Sequence, residues 1–345
     1  MAAACSSASS SALRTQLGAV KWIHIPYQIP YLHGLALQER IVEKRLQAKQ
    51  LLEEQPSASP STRSAGNQSL SKQVQEAQKV AWQDYLLLQE HTPVYTEGRR
   101  KGAKSAIGDD EEGKRLRALG ADYIVAQRGG LITFHGPGQI VGYPILDISR
   151  MNNLSTRCYV DKMQTCFRDL LNDKFQIKTV SPPDEATGVW TDEMHKILSI
   201  GIQVRQRITS HGFALNVKAQ PLLSWFKHIV ACGIVGKHMT SIERQLALRI
   251  QEEEQARPDR EAAAQSEKRV ENANMLEIEP GLQLGPESVL DVQQVSGLVA
   301  QQVGKTYQRD MELATEDDFR FEAGSNGVVD KIWFAGEEVH SLTSA

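Results

Sequence analysis

The sequence predicts an α/β or α+β domain, on three observations. Period-two strands are mixed along the chain with helices whose apolar residues recur at three and four. The most apolar strand reads as buried on both faces. The stretches unable to join a core fall between these elements, as insertions at loops. At 345 residues a length prior gives about two domains; one is expected, because two stretches hold almost nothing to bury.

Residues 22–31 read as a short strand. Leu35, Ile41, Val42, Leu46 and Leu51 make a helical stripe across 35–52. Residues 55–72, rich in Ser, Pro and Ala, read as a linker or disordered insertion, with helical periodicity resuming near Val80–Leu88. Strands are expected at 122–127 and 140–148, the second nearly continuous in apolar residues. Tyr159, Met163, Cys166, Phe167, Leu170 and Leu171 place a helix over 157–174, with Cys166 as a small core hydrophobe. Alternation at Ile200, Ile202, Val204 and at Phe213, Leu215, Val217 predicts a hairpin. Residues 251–269 carry no large apolar side chain and read as a charged helix without a buried face, or as disorder. A final helix fits 287–303. In domain terms, 1–20 is a possible presequence and 21–305 the main domain, interrupted at about 55–72 and 243–274. Residues 306–345 form an extension of unknown role.

Bulk properties narrow the function. A net charge of −3 from 39 basic and 42 acidic residues argues against nucleic acid as the main partner. No apolar run approaches the ~18 residues of a membrane span. Cys5, Cys158, Cys166 and Cys232 form no C-x-x-C pair and no zinc-like spacing, which predicts free thiols in a reducing compartment. No acidic residue precedes Glu39, and Ala2–Leu13 is rich in Ala and Ser. That fits a mitochondrial presequence or, equally, a tail without an address.

Two nucleotide motifs fail. Gly136-Pro-Gly-Gln-Ile-Val-Gly142 places its third glycine one residue late and is followed by a strand rather than a helix. Gly233-Ile-Val-Gly-Lys237 lacks a leading glycine and has His238 where a hydroxyl should bind magnesium. The nine histidines show no H-E-x-x-H or comparable pair, so no metal is expected.

Three segments concentrate glycine and polar residues inside apolar surroundings: Arg128-Gly-Gly-Leu-Ile-Thr-Phe-His-Gly-Pro-Gly-Gln139, Lys196–Gly201 continuing to His211–Asn216, and Ala231–Ile242. Tight turns explain the glycines but not the arginine, histidines and lysines among them. These segments resemble the three signature regions of the lipoyl(octanoyl) transferases, the octanoyl-[acyl-carrier-protein]:protein N-octanoyltransferases. The match covers most of residues 80–245 and is that of a eukaryotic, mitochondrial-type member. The resemblance implies the biotin protein ligase and lipoate ligase fold, a mixed sheet flanked by helices. It implies that Cys232 carries the acyl group as a thioester and that Lys196 activates it. Arg128, Gly129, Gly130, Leu131, Ile132, Thr133, Phe134 and His135 would form the acyl and substrate pocket with Ser199, Ile200, Gly201, Gly212, Phe213 and Ala214.

The residue types suit those roles. A thiol with pKa near ~8.5 is mostly protonated at neutral pH, and a nearby ammonium stabilises the thiolate. Ala231 and Gly233 are small neighbours for the sulfur. His135 reads as either a pocket wall or a donor to a substrate carbonyl. The implied donor is acyl carrier protein, whose phosphopantetheine arm delivers an already activated thioester, so neither nucleotide nor metal is needed. The implied acceptors are lysines of the lipoyl domains of 2-oxoacid dehydrogenase complexes and of the glycine cleavage H protein, in the mitochondrial matrix. Arg99, Arg100, Lys101 and Lys104 read as a solvated loop or as a patch that steers an acidic carrier. Two rival readings stay open: an ATP-dependent lipoate ligase on the same fold, and a non-catalytic lipoyl-domain binding protein.

Overall fold

Side-chain alternation along the central strands decides how the layers assemble. In β2 (Asp84–His91), Leu86 and Leu88 enter one apolar cluster while Tyr85 and Leu87 enter another on the opposite face. β6 (Gln139–Ile145) divides in the same way: Ile140 goes to the first cluster, and Val141, Tyr143 and Ile145 to the second. Every residue of β6 is buried, as its apolar sequence predicts. The computed structural model describes residues 17–54, 67–98, 111–182, 186–267 and 290–342.

The main sheet is mixed and eight-stranded. β1 (Val20–Ile29) runs parallel to β2, which pairs antiparallel with β6. The hairpin β8–β9 (His195–Arg205, Ile208–Asn216) continues the sheet from β6. β7 (Val189–Trp190) and β10 (His238–Met239) both join β8, and β11 (Met311–Leu313) closes the far edge against β1. One face is covered by the helices Thr156–Phe175 and Val292–Tyr307. Ser155 and Asp291 cap them by accepting from Cys158 N and Gln293 N. The helix Tyr31–Glu54 covers the other face, flanked by a small antiparallel sheet, β12 (Phe319–Ala323), β13 (Val329–Phe334) and β14 (Glu337–Val339). A third sheet, β3 (Val94–Glu97), β4 (Asp122–Val125) and β5 (Thr133–His135), carries its own cluster around Tyr95 and Phe134.

A buried ionic triad ties residues 17–18 and the segment around Arg309 to the centre. Asp84 accepts from Arg45 at 2.7 Å and from Arg309 at 2.6 Å. The guanidiniums spend their remaining donors on carbonyls: Arg45 on Ala81 and Ile145, Arg309 on Leu17 and Gly18. With every polar group answered, the charges are tolerated in the core.

Several expectations change. The helix read across Val80–Leu88 ends at Trp82, and Asp84–His91 is a strand. A run such as Leu86–Leu88 fits a helix or a doubly buried strand by pattern alone, and here both faces are covered. Residues 67–72, read as linker, belong to the helix Asn67–Trp82; residues 55–66 lie outside the described residues. Cys158 is disulfide-bonded rather than a free thiol. Cys166 is a buried free thiol, as expected, and burial pushes it up to about 12. Residues 251–267 are helical, continuous with Ile242. The final helix runs Val292–Tyr307, slightly later than predicted.

Candidate functional site

A cavity of about 380 Å3 opens on the β8–β9 hairpin, within the ~300–1,000 Å3 usual for small-molecule sites. The first glycine-rich segment contributes Arg128, Gly129, Gly130, Leu131, Thr133 and His135 to its wall. β8 contributes Lys196, Ser199, Ile200 and Gly201, and β9 contributes Gly212, Phe213 and Ala214. Ile132 and Phe134 do not line it. Successive residues of β5 point to opposite faces, so Thr133 and His135 face the cavity while Phe134 stacks on Trp225 at 5.2 Å between ring centroids. Ile132 packs against that same neighbouring cluster.

Arg128 is a strut within the loop. Its Nη1 donates to the carbonyls of Gly129 and Leu131, and its Nη2 donates to Thr96 O at 2.6 Å and Thr96 Oγ1 at 2.7 Å. Four bonds from one planar group pin the loop against β3. The loop also lies on β8, where Gly129 N donates to Ile202 O. Gly201 permits that approach: a Cβ there would sit 2.9 Å from Gly129 O.

Lys196 is buried on the cavity wall. Its ammonium lies 5.6 Å from the centre of the Trp190 ring, a cation–π contact. Gly188 leaves room for it, since a Cβ at 188 would come 2.4 Å from Lys196 Cε. The backbone of Cys232 forms the single 3-10 turn Ala231–Gly233, just before β10; the Cys232 side chain lies outside the described residues. In β10 Met239 registers with Lys196, and Thr240 N donates to Lys196 O at 2.9 Å. Gly233 adopts φ +70 and would carry any Cβ 2.4 Å from Leu131 Cδ1, while Ile234 lines the cavity. The turn holding Cys232 therefore abuts the cavity wall, and the chain that leaves it pairs through β10 with the strand of Lys196.

Apart from Arg128 and Lys196, the wall carries no fully ionised group among the described residues, and its inner part is aromatic, with Tyr31, His135, Tyr143 and His211. His135 is buried, and burial, followed by the fields of His91 and Arg128, holds it well below its ordinary value. Burial and then Arg128 lower His211 to about 3. His91, just behind the wall, is lowered to about 4 by burial. Its Nδ1 donates to Ile29 O, so its Nε2 accepts from the Tyr143 hydroxyl at 2.9 Å. Tyr31 stacks parallel to His135 at 6.0 Å. Sequence reasoning missed Tyr31, Tyr143, Val141, Ile202, His211 and Ile234 on this wall. Val141 and Tyr143 were accessible through the alternation of β6; nothing in the sequence places Tyr31 near residues a hundred positions away.

Among the described residues no group of three or more His, Cys, Asp or Glu is placed to hold a metal ion. Among them, too, no helix is long and apolar enough to cross a membrane.

Residues 63–257 match the lipoyl protein ligase A/B catalytic domain. The mitochondrial octanoyl-[acyl-carrier-protein]:protein N-octanoyltransferase of Homo sapiens is 38% identical over 227 residues, which cover 66% of this chain and 84% of that protein. Its Danio rerio counterpart is 48% identical over 161 residues, 47% of this chain and 67% of that protein. The octanoyltransferase of Caldicellulosiruptor bescii is 40% identical over 161 residues, 47% of this chain and 68% of that protein. Among solved structures, a lipoate-protein ligase A bound with ATP aligns with a TM-score of 0.50 at 9% identity, covering 86% of this chain and 88% of that one, a likeness of fold alone. With more than half of its residues in the matched domain and most of the human relative covered, the chain belongs to the lipoyl protein ligase A/B catalytic-domain family, as an acyltransferase of the octanoyltransferase kind.

Proposed function

We propose that this chain moves an octanoyl group from acyl carrier protein to a lysine of a lipoyl domain, through a thioester on Cys232. The observation that carries the reading is the β10 link, which couples the Cys232 turn to the strand of Lys196 beside an apolar-walled cavity. In the first half-reaction the Cys232 thiolate attacks the donor thioester, and the pantetheine thiolate leaves and takes up a proton. In the second, a lysine amine displaces Cys232 and forms the amide. The first step exchanges one thioester for another; the second is downhill. Lys196 stabilises the thiolate by its charge and relays the protons.

Arg128 shapes the loop, and Leu131, Ile200 and Phe213 offer apolar surface to the acyl chain. A donor that arrives activated makes nucleotide and metal unnecessary. A second groove, about 590 Å3, lies along residues 226–239 and shares Ile234 with the cavity. It contains Lys227, Lys237 and Arg244, no carboxylate, and exposed Val230 and Val235, which suits an acidic carrier. The other basic cluster considered for that role, Arg99–Lys104, lies outside the described residues. The mitochondrial names of the vertebrate relatives support a mitochondrial protein, in our reading of the matrix, with lipoyl domains of 2-oxoacid dehydrogenases and the H protein as acceptors.

Intact-mass measurement after mixing with octanoyl-carrier protein tests the reading. It predicts a single octanoyl adduct, removed by hydroxylamine, formed without ATP and discharged by a lipoyl domain. An ATP requirement points instead to a ligase, and binding without an adduct to a non-catalytic protein.

A further inference from the structure

A line of side-chain amides behind the cavity ends on His135, and its direction can be read bond by bond. Thr240 holds the far end: its amide N donates to Lys196 O, and its carbonyl oxygen can only accept. Asn216 Nδ2 donates to that carbonyl at 2.8 Å. Asn216 therefore presents Oδ1 to Gln139, whose Nε2 donates to it at 2.9 Å and to Phe134 O at 3.3 Å. Gln139 must then present Oε1 to His135, 2.7 Å from Nδ1. An amide oxygen carries no proton, so the hydrogen of this last bond belongs to Nδ1. Gln139 and Asn216 are both fully buried, and reversing either amide would set oxygen against oxygen.

We infer that Gln139 and Asn216 are positioning residues that hold His135 as its Nδ1–H tautomer, so that Nε2 presents a lone pair to the cavity and accepts a hydrogen bond from the incoming lysine nitrogen. This rests on the transfer reaction proposed above. It excludes the other role considered for His135, donation to a substrate carbonyl, because the one proton of the neutral ring is committed to Gln139. Burial and the neighbouring His91, Arg128 and His211 keep the ring neutral, so it orients the amine without taking its proton. In the amide-forming step the amine nitrogen bonds to the acyl carbon and the carbon–sulfur bond to Cys232 breaks with its electron pair going to sulfur. The surplus proton on nitrogen passes to that thiolate by way of Lys196. Nε2 aims the nitrogen lone pair at the carbon by holding one N–H.

The test combines a tautomer readout with a pH profile. Histidine-selective 15N NMR of the full chain at pH 7 should show His135 protonated at Nδ1 and bare at Nε2; a proton on Nε2 overturns the inference whether or not any variant folds. In Gln139→Glu a carboxylate faces Nδ1, favours imidazolium and raises the His135 pKa. Nε2 then becomes a donor at low pH. Single-turnover discharge of preformed octanoyl-enzyme to a lipoyl domain should fall in this variant by roughly tenfold or more at acidic pH and recover as pH rises through the raised pKa. The wild type should show no such step. Superimposed pH profiles for variant and wild type would overturn the inference. Failure of the wild type to form any octanoyl adduct would instead sink the transfer reaction, and the NMR result would stand apart from it.

Discussion

Gly188→Ala tests whether the position of Lys196 matters, without touching its charge. Gly188 has φ +134, a conformation that a residue with a Cβ rarely adopts. The new methyl would lie 2.4 Å from Leu198 O and 2.4 Å from Lys196 Cε, with Lys196 Nζ at 3.1 Å. The carbonyl belongs to a paired strand and cannot retreat cheaply, so the lysine stem gives way. Backbone strain of ~1–3 kcal/mol and overpacking of ~1–3 kcal/mol together predict a loss of stability of about 2–6 kcal/mol. For a chain this size that lowers Tm by roughly 3–8 °C. An ammonium displaced by about 1 Å is expected to slow acylation by up to ~100-fold. Differential scanning calorimetry gives the first number, and the rate of thiol alkylation against pH gives the second. If Tm falls as predicted while alkylation keeps its wild-type profile, Lys196 does not activate the thiol. If neither changes, the close packing of Gly188 on Lys196 is wrong.

Lys196→Ala should raise the Cys232 pKa toward the free value of ~8.5, with acylation partly recovered at alkaline pH, read by the same alkylation titration. Cys232→Ser should abolish the octanoyl adduct in intact-mass spectra, whereas Cys166→Ser should keep it, since that thiol is buried and held protonated. Arg309→Met should leave Asp84 paired with Arg45 alone, strip the donor from Asp84 Oδ2 and from the Leu17 and Gly18 carbonyls, and cost at least ~1–3 kcal/mol in urea denaturation. His91 stays neutral in the fold down to about 4 but titrates near 6.5 once unfolded, so the unfolded state binds the extra proton between those values. Stability should therefore fall as pH drops from about 6.5 toward 4, by ~3 kcal/mol from this group; His91→Gln should flatten that slope in denaturant titrations.

Elements with a clean period were legible in the sequence. The helix Thr156–Phe175 lies within a residue of its expected bounds because its stripe at three and four is unbroken and Ser155 caps it. The hairpin β8–β9 was visible in its alternation, although its strands extend back to His195 and Ile208. β2 was misread because three successive leucines carry no period; only the layers on both sides identify it as a strand. Glycine-rich composition pointed to the cavity segments, but not to which members face inward. Phe134 leaves the wall because it sits one residue out of phase with Thr133 and His135. The amide line from Thr240 to His135 was not legible at all, since Gln139 and Asn216 become neighbours only through the pairing of β6 with β9. Tyr31 entered unannounced for the same reason.

The partnership of Asp84 with Arg309 spans 225 residues, and β11 reaches the sheet edge only from the same distal segment. During synthesis from the N-terminus the central strands can pair long before that segment exists. Until residue 309 leaves the ribosome, β1 keeps a bare edge and Asp84 has one counterion instead of two. Closure of so long a loop is entropically slow, and an open strand edge is a template for wrong partners. The nascent chain is thus most vulnerable to aggregation before that distal segment emerges. A truncation ending before Arg309 should retain every residue of the cavity wall and yet accumulate in the insoluble fraction.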